Sequence, residues 1–150
     1  MPPAARKRLA AVKRLAEAGV PTTVAIAPVV PGITDHELEA IVEAAAEAGA
    51  QGVFFLPVRL PHEVAPLFRA WLDEHHPERA AKVMAIIRQM RGGKDNDPNW
   101  FSRMTGSGPW AELIRVRFEI AAKKHGLNRE KRKLRTDLFV PPQGPQLRLL

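Results

Sequence analysis

The residues best suited to binding chemistry lie in two loops that each follow a short apolar segment. In the first loop, residues 28–35, Pro31 and Gly32 shape a tight turn just before a predicted helix start. The free backbone N–H groups and positive dipole end of that helix favour an anionic or polar ligand group. An ordinary strand-to-helix turn has the same composition, so a purely structural interpretation stays open.

The second loop, residues 56–61, contains Arg59 as a lone charge beside the end of an apolar segment. A guanidinium group binds a carboxylate or a phosphate through two parallel hydrogen bonds. Arg59 is therefore a candidate substrate-binding residue. The alternative is a structural salt bridge at the mouth of the fold.

A basic cluster lies near the C-terminus, in the more positive half of the chain. Residues 1–78 carry a net charge of −3, whereas residues 79–150 carry +10. Such a basic half suggests a polyanionic partner, with nucleic acid as the first candidate, although a solvated basic surface has the same composition. The predicted nucleic-acid-binding residues are Lys131, Arg132, Lys133 and Arg135.

Aromatic residues upstream of this cluster divide into two groups. Trp100 and Phe101 lie in a turn-rich segment and could stack on bases. Trp110 and Phe118 follow helical spacing, so we expect them to lie in the core.

The C-terminal pentapeptide, residues 146–150, follows a proline-rich segment. Its sequence, QLRLL, resembles the Q-L-x-L-F peptide with which bacterial repair and replication proteins bind the sliding clamp. A glutamine and apolar anchors suit pocket recognition of an extended peptide; the alternative is an apolar end that folds back on the domain. The predicted partner-binding residues are Gln146, Leu147, Leu149 and Leu150.

Composition excludes several classes of protein. The chain contains no cysteine, which excludes a disulfide scaffold and a thiolate metal site and fits a reducing compartment. The five histidines show no recognised metal spacing, and no Ser-His-Asp order or Walker-type glycine loop occurs. No apolar run approaches the roughly 20 residues of a membrane span, and the basic N-terminus lacks the apolar region of a secretory signal. We therefore expect a cytoplasmic protein without a membrane partner.

Helices and short apolar strands alternate along the chain. Apolar spacing predicts helices over residues 4–18, 34–48, 77–90 and 110–124, with a further helix around residues 64–72. Strands are predicted at residues 22–27 and 52–56. The sequence AEAG occurs at residues 16–19 and again at 46–49, each time before a strand, which is the period of a βα unit. This order predicts an α/β fold with two parallel strands.

Local patterns predict how these helices begin and which faces they bury. Thr34 and Glu37 have the spacing of a capping box, with Ile33 and Leu38 placed as its hydrophobic staple. Two apolar helix faces are predicted. They comprise Val64, Leu67, Phe68, Trp71 and Leu72 in one helix, and Leu113, Ile114, Val116, Phe118 and Ile120 in the other.

Two parallel strands do not make a stable sheet alone, because both would be edges with unpaired backbone groups. We therefore expect further strands from a segment preceding residue 4, which would make this chain the C-terminal part of a longer protein.

The run AGVPTTVAIAPVVPGITDHELEAIVEAAAEAGA, residues 18–50, resembles the second half of a radical S-adenosylmethionine barrel. The wider pattern, with RAAKVMAIIRQMRGG and RMTGSGP, is similar to the spore photoproduct lyase-like, or DNA-repair photolyase-like, branch. The resemblance implies the C-terminal half of a partial (β/α)6 TIM-like barrel over residues 1–93, followed by a basic helical extension over residues 94–150. It also implies a missing N-terminal barrel half that supplies the cysteines of a [4Fe-4S] cluster.

The same resemblance implies which residues would lie on the adenine side of S-adenosylmethionine. Residues 32–35 match the end of the family's G-x-I-x-G-x-x-E pattern, with Asp35 in place of glutamate and Pro28 in place of the first glycine. The implied cofactor-binding residues are Val30, Gly32, Asp35, Leu56 and Pro57. The intact enzyme would cleave the cofactor reductively and act as a repair lyase on nucleic acid. This chain alone, without cysteine, is not expected to be catalytic.

Two other interpretations remain. The chain is a non-catalytic basic module that binds nucleic acid or a partner protein through residues 79–150, or it is a truncated product without independent function. The cofactor requirement of any binding activity separates the first of these from the enzyme fragment.

Overall fold

The computed structural model describes residues 3–130 and 136–141. Within them, five α-helices and two β-strands follow the predicted order. They are α1 (Pro3–Glu17), β1 (Thr23–Val29), α2 (Leu38–Glu47), β2 (Gly52–Pro57), α3 (Val64–His75), α4 (Pro77–Met90) and α5 (Gly108–Lys124), with 3₁₀ turns at Asp35–Glu37 and Ser102–Met104. The α/β class is confirmed.

The two strands form a parallel pair, as predicted. Thr23 lies opposite Gly52 and Val29 lies opposite Pro57, with an irregularity between Ile26 and Val29. Residues 30–37 and α2 connect the two strands, which is the crossover that parallel neighbours require.

One face of this sheet is covered and the other is open. Val53 is buried, and its register partner Val24 packs against the same core. Ala25 and its partner Phe54 point to the opposite side, where both are exposed. Because side chains alternate along a strand, the covered and open faces follow directly from the register.

The two edges of the sheet also differ. On the outer edge of β2, the side-chain amide of Asn128 accepts from the Val53 N–H and donates to the Val53 carbonyl, each at 2.9 Å. The Asn128 N–H donates to the Gln51 carbonyl at 3.0 Å. Asn128 therefore satisfies backbone groups that a further strand would otherwise pair.

Among residues 3–130 and 136–141, none covers the outer edge of β1 in this way. The Thr22 carbonyl accepts from the N–H groups of Gln51 and Gly52, so it points toward β2. Because the backbone N–H and C=O groups of successive residues in a parallel strand point to alternate sides, those of Thr23 and Ala25 point away from β2. No strand among the described residues pairs with that edge. A strand could add to the sheet beside β1.

Helix α5 belongs to the main core. Ile114 and Phe118 are buried in the cluster that contains Val29 of β1 and Val42 of α2. The ring of Phe118 lies 4.9 Å from that of Phe55 in β2. This core extends past residue 93, where the two predicted domains meet; the domain division itself stays a prediction.

A second buried cluster lies under α3 and α4. It joins Val30 and Leu60, from the two loops after the strands, to Leu72, Val83 and Ile87 of the helices. The loops after the two strands therefore pack on α3 and α4.

The predicted capping box is wrong. Thr34 makes no side-chain hydrogen bond to the start of the following helix. Its hydroxyl instead accepts from the backbone N–H of Val30 at 2.9 Å. A 3₁₀ turn at Asp35–Glu37 displaces the α-helix start to Leu38. The Thr34 side chain therefore stabilises the loop before the helix and does not cap the helix.

The predicted apolar helix faces are only partly buried. Ile114 and Leu72 are fully buried, whereas Leu67 is 66% exposed and Ile120 is 63% exposed. Apolar periodicity predicted a broad apolar stripe on each helix, but the elements that pack against the helix cover only part of that stripe. In α5, small residues (Ala111, Ala121, Ala122) take the remaining buried positions.

The two AEAG copies meet in the fold. Gly49 has φ +86°, and a Cβ atom there would lie 2.7 Å from the Cβ of Ala16. Each copy ends its helix at a glycine with positive φ, as is common one residue past a helix end. The repeat therefore reflects two helix ends packed side by side.

Candidate functional site

The two predicted ligand-binding loops lie together at the carboxyl ends of the strands. Val29 and Pro57 are register partners, and the Val58 N–H donates to the Val29 carbonyl at 2.9 Å. In parallel α/β sheets this end is where ligands bind. The structure thus places residues 28–35 beside residues 56–61, as the order of elements predicted.

Side chains of Thr34 and Arg79 bond to the backbone of the first loop. The Gly32 carbonyl accepts from Arg79 at 3.3 Å, and Gly32 itself is exposed with φ +70°. The Val30 side chain is 8% exposed and packs into the cluster under α3 and α4. Of these two predicted cofactor-binding residues, Gly32 is the accessible one.

Asp35 lies in a clamp between this loop and α5. Arg117 donates to the Asp35 carbonyl at 3.0 Å and to both carboxylate oxygens of Glu39 at 2.6 and 2.7 Å. The hydrogen bond from Arg117 lowers the pKa of Glu39, and the same contact raises the pKa of Arg117. Arg117 was not identified from the sequence, because its partners lie far away along the chain.

This clamp predicts a specific acid sensitivity. Because the folded pKa of Glu39 lies below its usual 4.5, the Arg117 contact stabilises the fold above that pH and is lost as the pH falls through the folded pKa. We expect wild type to exceed Glu39→Gln in free energy of unfolding at pH 7, with the gap closing below about pH 4.5. Urea unfolding at several pH values measures this gap. Glu43→Gln, which removes a charge at an exposed position on the same helix, is the control; a gap for Glu39→Gln that stays constant with pH would contradict the clamp.

In the second loop, the predicted residues differ in accessibility. Pro57 is buried, whereas Leu56 and Arg59 are half-buried. Arg59 approaches the Met104 sulfur at 3.6 Å and makes no salt bridge with a described residue. Its alternative role as a salt-bridge residue thus finds no partner in the part of the chain that the structure describes.

Arg91 is the residue at this end that sequence reasoning missed. It is 4% exposed, and its guanidinium donates to the carbonyls of Val58 at 3.0 Å, Arg103 at 2.8 Å and Ser102 at 3.4 Å. Arg91 thereby ties the loop after α4 to the end of β2. Burial lowers the pKa of Arg91, nearby Asp97 opposes that effect, and nearby Arg59 adds to it.

Asp97 is the carboxylate that faces this arginine group. It accepts from the Ser102 hydroxyl and from the Asn99 N–H, the latter at 2.9 Å. The Ser102 hydrogen bond is the main cause that lowers the pKa of Asp97, so the group is an anion at neutral pH. Arg91 therefore has two charged neighbours, the guanidinium of Arg59 and the carboxylate of Asp97.

A cleft of about 720 Å³ opens between the end of β2 and the start of α5. Phe55, Pro57 and Met104 form apolar walls, and the segment 105–109 forms the rim at the helix N-terminus. This cleft adjoins the arginine group through Met104, which contacts Arg59. An apolar wall beside polar backbone suits a flat ring with a polar edge.

The other predicted binding residues lie outside the described part of the chain. This applies to Lys131, Arg132, Lys133 and Arg135 of the basic cluster and to Gln146, Leu147, Leu149 and Leu150 of the C-terminal peptide. Their assignments stay predictions.

Over residues 3–130 and 136–141, no cluster of three or more His, Asp or Glu side chains has the arrangement of a metal site. In that same part of the chain, no helix is both long and apolar enough to cross a membrane.

Comparison with known proteins identifies mycobacterial relatives. The chain is 32% identical over 89 residues to the uncharacterized protein Rv2578c of Mycobacterium tuberculosis (strain H37Rv) and, to the same extent, to the uncharacterized protein Mb2609c of Mycobacterium bovis. The match covers 58% of this chain and 26% of each relative. No family model matches the sequence, and no solved structure matches it. The chain thus spans about a quarter of the relatives that it resembles.

Proposed function

We propose that this chain is the C-terminal part of a radical S-adenosylmethionine enzyme of the cytoplasm. Its strands would be the last two of a partial barrel, and the whole enzyme would act on nucleic acid. The resemblance of residues 18–50 motivates the family. The observation that supports it is the unequal sheet, by which we mean that its two faces and its two edges differ. One face is covered and the other is exposed; Asn128 closes the β2 edge, and no strand among the described residues pairs with the β1 edge.

This unequal sheet supports a larger assembly in two ways. Exposed Ala25 and Phe54 form an apolar surface of the kind that faces a barrel interior. The free edge of β1 is available for a parallel strand, and unpaired edges are normally covered or paired. The match covers 26% of the relatives, so their remaining sequence is long enough to supply a cover for the exposed face and a strand for the β1 edge.

The chain fits one cofactor in this proposal and not the other. It contains no cysteine, so it holds no thiolate for an iron–sulfur cluster. Cluster ligands must come from the missing barrel half, and no step is assigned to this chain through them. S-adenosylmethionine would instead lie at the carboxyl ends of the strands, where the loops 28–35 and 56–61 meet beside the open face of Ala25 and Phe54.

The described residues would bind and shield the cofactor. S-adenosylmethionine supplies the bond that the intact enzyme cleaves reductively. Exposed Gly32 and half-buried Leu56 would present backbone to the adenine, and buried Pro57 would fix the wall behind it. The Arg117 clamp would hold the Asp35 segment in place.

A chimera tests this proposal. The 89 matched residues of Rv2578c would be replaced by the matching segment of this chain, and the product purified anaerobically. We expect the parent and a folded chimera both to bind a cluster and, on reduction, to cleave S-adenosylmethionine. A parent without cleavage contradicts the family assignment; an active parent with a folded but inactive chimera contradicts the role of these loops.

The second candidate is a cofactor-independent module that binds nucleic acid. The observation in its favour is the arginine group at the strand ends, which has one neighbouring carboxylate. Nucleic-acid binding by the full chain without any cofactor, abolished by charge reversal at residues 131–135, would favour this candidate.

A further inference from the structure

We propose that the segment 97–104, together with Arg59, binds the base–phosphate unit of a nucleotide, while buried Arg91 holds the backbone of the segment. We name this region the aromatic–arginine loop. The inference goes beyond the proposed enzyme, because it assigns a separate site and needs no S-adenosylmethionine; it deepens the second candidate function, which uses the same arginines. The ligand is either a free nucleotide or one unit of a single nucleic-acid strand, which share this chemistry.

Two aromatic rings project from the loop. Trp100 is 71% exposed and Phe101 is 90% exposed. Exposing large rings to water is unfavourable unless a partner covers them. Successive exposed aromatic residues are the feature on which single-strand binding proteins stack bases.

A cation is already placed against one of these rings. The guanidinium carbon of Arg103 lies 4.1 Å from the centroid of Trp100, which is a cation–π contact. Arg103 therefore covers one face of the Trp100 ring and leaves the exposed remainder for a base, with a cation close to any phosphate attached to that base. The 3₁₀ turn Ser102–Met104 and the Arg91 hydrogen bonds hold this backbone in place.

The charge around the loop favours an anion. Arg103 belongs to the loop, Arg59 contacts its Met104, and Arg91 contacts its backbone, with Asp97 as the carboxylate that affects Arg91. The oxygens of Asp97 are engaged by Ser102 and Asn99. A guanidinium without a carboxylate partner is suited to bind phosphate.

Unsatisfied polar atoms mark the same place. Within the described residues, the buried side-chain nitrogen and oxygen atoms without a hydrogen-bond partner are Arg59 Nε, Arg91 Nε, Asn96 Oδ1 and Arg103 Nε. Arg103 belongs to this loop, Arg59 and Arg91 contact it, and Asn96 directly precedes it. Buried polar atoms without partners are rare in proteins, and a cluster of them, here three donors and one acceptor, indicates a site that a ligand or ordered water completes.

The combination of rings and cations selects the ligand class. An acidic peptide would use the arginines but leave the rings uncovered. An apolar partner would cover the rings but leave the arginines unpaired. A base next to a phosphate satisfies both, and the position at the carboxyl ends of the strands is a usual ligand-binding location.

Binding by the full chain tests the proposal. The probes are a fluorescein-labelled 12-nucleotide single DNA strand and AMP, each without S-adenosylmethionine. We expect Trp100→Ala and Arg103→Gln each to weaken binding at least about fivefold. Phe139→Ala and Arg14→Gln, at exposed positions elsewhere, serve as controls and should bind like wild type. Circular dichroism verifies that each variant is folded.

The two probes distinguish the source of the ligand. Loss of AMP binding in the loop variants assigns a free nucleotide, and loss confined to the DNA strand assigns a nucleic acid. Folded variants of Trp100 and Arg103 that bind both probes like wild type overturn the proposal. So does an equal loss in Phe139→Ala, or binding that poly-glutamate abolishes while Trp100→Ala leaves it unchanged.

Fluorescence provides a second, independent measurement. The sequence has three tryptophans, so Trp71→Phe with Trp110→Phe leaves Trp100 as the sole indole. A base that stacks on Trp100 should quench its emission, whereas inorganic phosphate alone should not. Binding of the labelled strand without quenching would overturn the stacking role.

Discussion

Replacing Ile114 by alanine is expected to lower the free energy of unfolding by about 3 kcal/mol. Ile114 is fully buried in the core shared by α5, α2 and the sheet. Removing its outer carbons loses their burial and leaves a cavity that the close-packed surroundings fill only in part. Chemical denaturation of the full chain measures the change.

The same helix offers a matched control. Ile120→Ala removes the same atoms from a side chain that is 63% exposed, so we expect a change within about 0.5 kcal/mol. Both residues belong to the single apolar face predicted from sequence, and only the tertiary structure separates them. Equal effects of the two substitutions would mean that α5 does not pack as described and behaves as an appended segment.

Replacing Arg91 by methionine is expected to destabilise the chain by about 3 kcal/mol. The substitution removes the donors that satisfy the carbonyls of Val58, Ser102 and Arg103. Hydrogen bonds from a charged donor contribute more than neutral ones. The cost of burying the charge, which lowers the pKa of Arg91, offsets part of this contribution. Urea unfolding measures the net effect.

Arg88→Met is the control for this second experiment. Arg88 lies on the same helix with a side chain that is 44% exposed and bonds to Asp95 at 2.7 Å, and Asp95 keeps a second partner in Arg69. Exposed ion pairs contribute about 0–1 kcal/mol, so a small change is expected. In Arg91→Met we also expect faster trypsin cleavage within residues 94–107, because that segment loses its tie to β2. Unchanged cleavage with unchanged stability would contradict the role of Arg91.

Much of the local structure could be predicted from short-range patterns. The helix–strand order, the parallel pair and the helix over residues 77–90 follow from apolar spacing and from glycine and proline positions, and the structure confirms them. These features depend on neighbours a few residues apart, which the sequence displays directly. The placement of both loops at the carboxyl ends of the strands follows from parallel topology for the same reason.

The failed expectations share a different cause. The Thr34 hydroxyl had two acceptable partners, a helix-start N–H and the Val30 N–H, and the 3₁₀ turn selected the second. The apolar stripe of α5 was correct as a pattern, but only its side toward α2 and the sheet is covered. Apolar periodicity shows which residues share one face of a helix, but it does not show how much of that face the neighbouring elements cover.

By itself, the sequence determined the α/β class, the excess of basic residues in the second half and the absence of cluster ligands, since each depends on composition or local spacing. Tertiary structure alone decided three features: the role of Arg91, the Arg117 clamp on Glu39 and the closure of the β2 edge by Asn128. Asn128 and Val53 are 75 positions apart, as Arg117 and Glu39 are 78 apart. Polar side chains bond to whatever the fold brings within about 3 Å, and a single sequence carries no local signal of contacts at that separation.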